Sequence, residues 1–581
     1  MKLKNNILTI GMAGMLGLGL SSCSDFLTVE PLNEIVQDKF WNSKNDVENI
    51  VMGCYSAMQS QTIIDRMIIW GESRSDDMVG GTNIANNEAL SNIFKENINA
   101  KNDYTSWGEF YDIINRCNLV MLYAPEVAEK DPNYSESELN ATRAEVSAIR
   151  DLMYFYLIRT FRDVPYTKEA YVDDTQKMAV AATPFNDVLD SLITDLESVR
   201  PYAVSKYPET KPKYQRGRIT RDCIDAMLCE MYLWKQDYTN CVKYADIVLD
   251  SKTQEFKSSS NKTSGMSIMD SDVKLFEGYP LYNDKNSSLV SAYGSTYNYI
   301  YDDEGCIENI FELLFDSDET MLSNGSVSYL YGNETTYPGI IKPADFIAAD
   351  VTDQQFNVFK DKYDLRSYQN IEKKDQNNYA IRKLSNRSLT ITTTSSSDVK
   401  VTGSTYTESN CYAPWIIYRT ADIMLLKAEA LTQMAVDDPQ TDEAKAKNDS
   451  VLKAAYEIVN VLEKRSSMAS NYENISYDSY SSKTQMEELV LLERQRELMF
   501  EGKRWYDLVR KARRDGKTSF LVNKVQQKGS DNASVVQSKL AKMDAIYWPY
   551  NNDEIKVNSN LVQNSAYGSG VDDSSYTTTN K

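Results

Sequence analysis

A chain of 581 residues with 84 acidic and 63 basic side chains carries a net charge of −21, a balance that repels phosphate backbones and sets nucleic acid aside as a partner. It contains no histidine, so Ser-His-Asp and Cys-His catalytic sites are excluded and the usual zinc ligand sets are incomplete. Hydrophobic residues make up 42% of it and no proline- or glycine-rich linker divides it, which predicts one large composite domain over residues 23–581.

At the N-terminus, Lys2 and Lys4 precede an uncharged run over residues 7–20 that ends in Leu20-Ser21-Ser22-Cys23. The run is too short and too rich in glycine to span a bilayer and reads as a lipoprotein signal peptide, residues 1–22, with a lipobox. Cys23 is then the acylated first residue of the mature chain, anchoring it to a membrane. The other seven cysteines, Cys54, Cys117, Cys223, Cys229, Cys241, Cys306 and Cys411, form no CxxC pair and mostly lie in apolar helical patterns. They read as reduced core residues rather than a disulfide framework or metal site.

Apolar residues recur at helical steps over residues 46–59, 107–123, 138–161 and 185–199, predicting antiparallel helices. Residues 219–234 and 238–249, broken at Lys235-Gln236-Asp237, read as a helix pair in which Ala226, Tyr232, Tyr238 and Ala245 suit a tetratricopeptide-like hairpin. A second pair is read over 415–434 and 442–465. The prediction is therefore a mainly α fold, with a tetratricopeptide-like helical scaffold at about 40–250 and 415–515 stacked as a right-handed array of the kind that binds proteins.

Between about 252 and 410 the helical pattern gives way to Ser, Thr, Asn, Gly and Tyr, a large irregular insert in which binding is expected. Tyr279, Tyr282, Tyr293, Tyr297, Tyr299 and Tyr301 crowd one span, and Tyr329, Tyr331 and Tyr337 follow the strand-like run at 310–315. An exposed tyrosine offers a flat apolar face with a hydrogen-bonding tip, suited to a sugar ring; the competing reading is that these rings pack loops onto helices. A second candidate surface is the polar loop at 78–103, with Asn83, Asn86, Asn87 and Asn92. Asp302-Asp303-Glu304 has the composition of a calcium loop, but a solvated acidic loop is the preferred reading, and no cofactor or metal is predicted. No P-loop and no strand-associated GxGxxG occurs. Glycoside hydrolysis needs only two carboxylates, which counting does not decide, yet nothing in the pattern assigns a catalytic residue.

Residues 489–510 read as one buried helix. Glu493 and Arg496, Arg494 and Glu497, Glu501 and Arg504, and Asp507 and Arg510 are spaced to pair along it. The interleaved arginines favour an ion-pair network over a metal site at Glu493, Glu497 and Glu501. Gly502 at mid-helix costs roughly 1 kcal/mol against Ala, which predicts close approach of another backbone.

The run Glu493, Arg494, Glu497, Leu498, Glu501, Gly502, Arg504, Trp505, Asp507, Leu508, Arg510 resembles the C-terminal signature of the SusD/RagB family of outer-membrane nutrient-binding lipoproteins. Similar matches occur at Cys23 to Leu27 with Glu30-Pro31, Trp70-Gly71-Glu72 with Ser75-Asp76, Arg143-Ala144-Glu145 through Arg150 to Asp163-Val164-Pro165, Tyr418 to Ile423, Ala428-Glu429-Ala430, and Pro549 to Asn564. The chain departs from the family pattern at Ser559, Ser565 and Ala566, and it has no tryptophan between Trp70 and Trp107. The resemblance implies a SusD-like fold and a lipid-anchored, outward-facing outer-membrane protein that is not an enzyme. It implies binding of a nutrient, a glycan or oligosaccharide, for delivery to a TonB-dependent SusC-like transporter. A peptide-binding uptake lipoprotein of the RagB type and a surface adhesin are the alternatives. The family builds its ligand surface from the 78–103 loop and the insert, which makes Tyr293, Tyr297, Tyr299, Tyr301, Tyr329, Tyr331, Asn83, Asn86 and Asn87 the candidate contacts.

Overall fold

The computed structural model describes residues 40–568 apart from 174, 261–273, 285–291, 303–304, 317–322, 336–337, 349–357, 360–361, 376–377, 394–398, 408–409, 470–471 and 530–532. The signal segment, Cys23, Asp303, Glu304 and Tyr337 lie outside the described residues.

The N-terminal half is helical: α1 (Lys44–Met58), α2 (Gln61–Ile68), the short strand β1 (Met78–Gly80), α3 (Glu88–Phe94), α4 (Gly108–Lys130), α5 (Glu136–Phe161), α6 (Phe185–Val199), α7 (Arg221–Lys235) and α8 (Tyr238–Ser260). Caps set several of these boundaries. Ser135 Oγ accepts the Glu138 N–H (3.3 Å) while Glu138 Oε2 accepts the Ser135 N–H (3.0 Å), a reciprocal box that opens α5. The turn expected after α7 is made by Gln236 in the left-handed region (φ 65°), with the Asp237 N–H returning to the Tyr232 carbonyl at 2.9 Å.

The insert holds β2 (Ala292–Tyr293), α9 (Ser295–Tyr301), β3 (Asn309–Leu313), α10 (Gly325–Leu330), β4 (Ile341–Pro343), β5 (Asn386–Thr393) and β6 (Val399–Thr405). The chain then returns to the scaffold through β7 (Trp415–Arg419), α11 (Thr420–Met434), α12 (Asp442–Ser466), α13 (Lys483–Leu498), α14 (Arg504–Asp515), α15 (Ser519–Gln527) and α16 (Ala533–Leu540). Successive helices pack side by side, α1 on α4, α4 on α5, α5 on α6, α6 on α7, α7 on α8, α8 on α11, α11 on α12 and α12 on α13, so the two helical halves form one layer across the insert. The fold is mainly α, built from repeated helix pairs. No described helix is long and apolar enough to cross a membrane.

Two helix expectations are corrected. Residues 415–419 are a strand, not the start of a helix: β7 pairs antiparallel with β3, and both strands are buried along their whole length. A strand covered on both faces lacks the apolar–polar alternation of a half-exposed one, so periodicity alone does not separate it from a buried helix. The 489–510 stretch is two helices, because α13 ends at Leu498 and α14 begins at Arg504. Between them Phe500 (φ 67°) and Gly502 (φ 71°) adopt left-handed conformations. The close approach foreseen at Gly502 is present: a Cβ on Gly71 would lie 1.8 Å from the Gly502 carbonyl oxygen. Glu72 replaces the helical acceptors at this break. Its Oε1 accepts the Phe500 N–H (2.8 Å), and its Oε2 accepts the N–H groups of Lys503 (2.9 Å) and Arg504 (3.2 Å), which caps α14.

The charge ladder is likewise distributed over several elements. Glu493–Arg496 (3.5 Å) and Asp507–Arg510 (2.8 Å) form as spaced. Arg494, however, pairs with Asp507 (2.8 Å) and Asp422 (3.1 Å), and Arg504 with Asp76 (2.8 Å). Glu497 and Glu501 both receive Arg419 at 2.8 Å. The signature thus ties α13 and α14 to β7, α11 and the segment after α2.

Candidate functional site

The structure divides the candidate tyrosines into two groups. Tyr297, Tyr301 and Tyr331 are only 1%, 5% and 0% exposed, which corrects the expectation that they present open rings. Their hydroxyls donate inward, Tyr297 to the Arg382 carbonyl (2.8 Å), Tyr301 to Glu501 Oε1 (3.1 Å) and Tyr331 to the Phe500 carbonyl (2.8 Å). Positions 297 and 301 are four apart on α9, so the two rings share one helical face 5.1 Å apart, and Tyr301 reaches the signature at Glu501. Tyr293 is half-buried beside β5 and donates to the Met468 carbonyl at 3.4 Å. Tyr299 is half-buried with its ring 5.0 Å from Tyr282. Tyr301 and Tyr331 fasten the insert to the signature and Tyr293 fastens it to the segment after α12, while Tyr297 and Tyr299 pack within the insert. Asp302 accepts the Tyr406 hydroxyl.

Tyr329 differs: it is 41% exposed. It lies on α10, whose first turn is capped by Asn324 Oδ1 (Val327 N–H, 3.3 Å) and fastened to α2 by Ser326 Oγ donating to the Gln61 carbonyl (3.2 Å). Strands β1 and β4 pair with Val79 opposite Lys342, and the Gly81 N–H continues the pairing to the Ile340 carbonyl at 2.8 Å. This ladder carries the 82–87 loop alongside α10. Asn87 then joins the two candidate surfaces: its Oδ1 accepts the Leu90 N–H (2.9 Å) and caps α3, while its Nδ2 donates to the hydroxyls of Tyr329 (3.0 Å) and Tyr104 (3.1 Å). Asn83 and Asn86 are exposed on the turn just before it. Of the candidate residues, Asn83, Asn86, Asn87 and Tyr329 therefore come together at one surface, and Tyr293, Tyr297, Tyr299, Tyr301 and Tyr331 do not join them.

Sequence reasoning missed two neighbours. Tyr104, one residue beyond the polar loop as drawn, is buried and holds Asn87 in place; burial pushes its phenol up to about 12, against the opposing Asn87 hydrogen bond. Asp65, inside α2, is half-buried with Oδ1 lacking a hydrogen-bond partner, and nothing in its helical sequence context marks it. Chemically, the Tyr329 oxygen accepts from Asn87, which leaves its O–H to donate outward, and the exposed amides of Asn83 and Asn86 offer both donors and acceptors. An apolar ring beside such groups suits a polyhydroxylated ligand. Among the described residues no cluster of His, Cys, Asp and Glu is arranged to hold a metal.

Asp65 gives the region a pH signature. Burial raises its carboxyl from 3.8 to about 6, against Ser326 and Arg66, which lower it. The folded protein therefore holds this proton more tightly than the unfolded chain does. The corresponding stability is present below pH about 4 and is lost as pH rises through about 6. Asp65→Asn is expected to remove that slope in urea unfolding between pH 4 and 7 and to raise stability at pH 7 by about 1 to 2 kcal/mol. An unchanged slope in the variant would assign it to another group.

Comparison with known proteins places this architecture. A family model described as the SusD family matches residues 250–567, and one described as starch-binding associating with outer membrane matches residues 25–233. SusD-like protein P38 of Formosa agariphila is 25% identical over 531 residues, 88% of this chain and 92% of that protein. A SusD superfamily protein of Bacteroides thetaiotaomicron has a similar structure, with a TM-score of 0.63 at 20% identity over 91% of this chain and 99% of that one. A SusD-like protein of Bacteroides fragilis gives 0.60 at 16% identity, over 92% and 99%. At these identities the structural likeness is one of fold.

Proposed function

Because the chain belongs to the SusD family, whose model covers residues 250–567, a family of outer-membrane proteins that bind nutrients for uptake, we propose that it captures a glycan or oligosaccharide and delivers it to a TonB-dependent SusC-like transporter. In this reading residues 1–22 are removed and Cys23 carries the lipid. Residues 23–581 then form one domain on the outer face of the membrane, and the helix pairs form a tetratricopeptide-like array available to the transporter. The observation that carries the choice of site is the exposed Tyr329 ring held by Asn87 beside Asn83 and Asn86. The description of the family matched by residues 25–233, starch-binding, supports a glycan as the ligand.

The test uses soluble protein beginning at Ser24, titrated by calorimetry with oligosaccharides and peptides released from the growth substrate, followed by chromatography of the ligand. Saturable oligosaccharide binding is expected, with a Kd between about 1 µM and 1 mM, equivalent to about 4 to 8 kcal/mol, and the ligand recovered intact. Tyr329→Ala is expected to weaken binding about tenfold at an unchanged melting temperature. Shortening of the oligosaccharide would overturn the non-enzymatic reading, and binding of peptides alone would overturn the glycan.

A further inference from the structure

Beyond the other end of α3 lies a cleft of about 430 Å³, walled by the residues that follow this helix and by the C-terminal helices. Arg74, Glu96, Asn97, Ser538, Lys539 and Lys542 are among its lining residues. Its charge runs against that of the whole chain. Arg74 Nε and Nη2 donate to Glu96 Oε2 at 3.0 and 2.8 Å, so these two charges cancel. Lys539 and Lys542 are left over. Lys539 Nζ donates to the Glu96 carbonyl (2.8 Å) and to Asn97 Oδ1 (3.3 Å), both neutral, and among the described residues neither lysine makes an ion pair. Behind the wall, Lys528 adds a further cation, donating to the carbonyls of Arg74 (3.3 Å) and Ser75 (3.0 Å). A cationic recess on a protein of net charge −21 draws anions selectively.

The wall also holds an unmet acceptor. Glu96 is 5% exposed, its backbone is left-handed (φ 52°), and its Oε1 has no hydrogen-bond partner. A buried carboxylate oxygen left unpaired costs free energy that an incoming donor recovers. The two features select one kind of ligand. A bare anion is drawn by the lysines but leaves the Glu96 oxygen unmet, and an amine finds that oxygen but is repelled by the lysines. A molecule with an anionic group at one edge and neutral hydroxyls at another satisfies both.

We propose that this cleft is a second binding site for a sugar acid of the uronate class, with its carboxylate between Lys539 and Lys542 and a ring hydroxyl donating to Glu96. The inference extends the reading of the chain as a glycan-binding protein to a different surface. Asn87 caps one end of α3 and Glu96 follows the other, and the seven-residue helix between them is roughly 10 Å long at 1.5 Å per residue.

D-galacturonate and D-glucuronate are titrated into the soluble protein, with D-galactose and N-acetyl-L-glutamate as comparators. Both uronates are expected to bind in the millimolar range, with D-galactose and N-acetyl-L-glutamate at least tenfold weaker. Lys542→Glu reverses one rim charge, and Ser538→Trp fills the cleft from an exposed helix position; each is expected to weaken uronate binding at least tenfold with unchanged melting, while Tyr329→Ala leaves it intact. The proposal fails if the parent binds no uronate up to ~50 mM, if both variants bind as the parent does, or if N-acetyl-L-glutamate binds as tightly as the uronates. These failures leave the oligosaccharide titration of Tyr329→Ala untouched, so the two sites are judged separately.

Discussion

Trp505→Ala is expected to lower the stability of the protein by about 3 to 5 kcal/mol, the range for truncating a fully buried large aromatic. The indole is 0% exposed, and the Arg74 guanidinium lies over its ring at 4.4 Å. Removing the ring opens a void beneath a buried cation that is also bonded to Glu96 and to the carbonyls of Ala545 and Ile546. The loss therefore combines missing apolar contact with a loosened anchor for the C-terminal segment. Urea unfolding at constant pH measures it. In the folded fraction oligosaccharide binding should match the parent, since Trp505 belongs to the scaffold and Tyr329 to the surface. A variant that melts normally but no longer binds would move the ligand site to the signature.

Glu497→Gln is expected to cost about 3 to 5 kcal/mol, the penalty for breaking a buried ion pair from one side. Glu497 Oε1 accepts from Arg419 at 2.8 Å and from Arg465, while Oε2 accepts from Arg366 at 3.3 Å. Burial alone would raise this carboxyl. The guanidiniums of Arg465, Arg419 and Arg366 outweigh it and hold the group well below the usual carboxylate range. Glu501 behaves in the same way, opposed by burial and drawn down to about 2 by Arg419 and Lys383. For groups depressed in the folded state, the stability is present above the unfolded value near 4.5 and is lost as pH falls through the folded one. The parent should accordingly lose stability steeply below pH about 4, and Glu497→Gln should lose less over that interval. A cost under about 1 kcal/mol, or an acid profile identical to the parent's, would show that the network contributes little to stability.

The helical scaffold was legible because its signals are local. The period of the apolar residues placed α4 to α8, and the break at Lys235-Gln236-Asp237 matched the left-handed Gln236. Gly502 was correctly read as a point of close approach, yet the break around it was not, since the acceptor that replaces the helical carbonyls is Glu72, remote in sequence. Local pattern carries no record of a distant carboxylate. The same limit explains β7, whose partner strand β3 covers what periodicity alone reads as a helical face. Tyrosine was the least informative residue type. Tyr297, Tyr301 and Tyr331 share composition and neighbourhood with Tyr329, and only the packing of α9 and α10 decides which rings face the core and which face solvent. In the polar loop the sequence marks Asn87, which meets Tyr329 of the insert, while Asp65, inside an ordinary helix, has no distinguishing context.

The most direct measurement is amide hydrogen exchange of the soluble protein with and without saturating oligosaccharide, read peptide by peptide. Protection is expected in residues 81–90 and 325–332, where Asn87 and Tyr329 meet, with residues 489–510 exchanging alike in both states. Protection confined to 292–301 or to the signature, with none around Asn87 and Tyr329, would contradict this placement of the ligand.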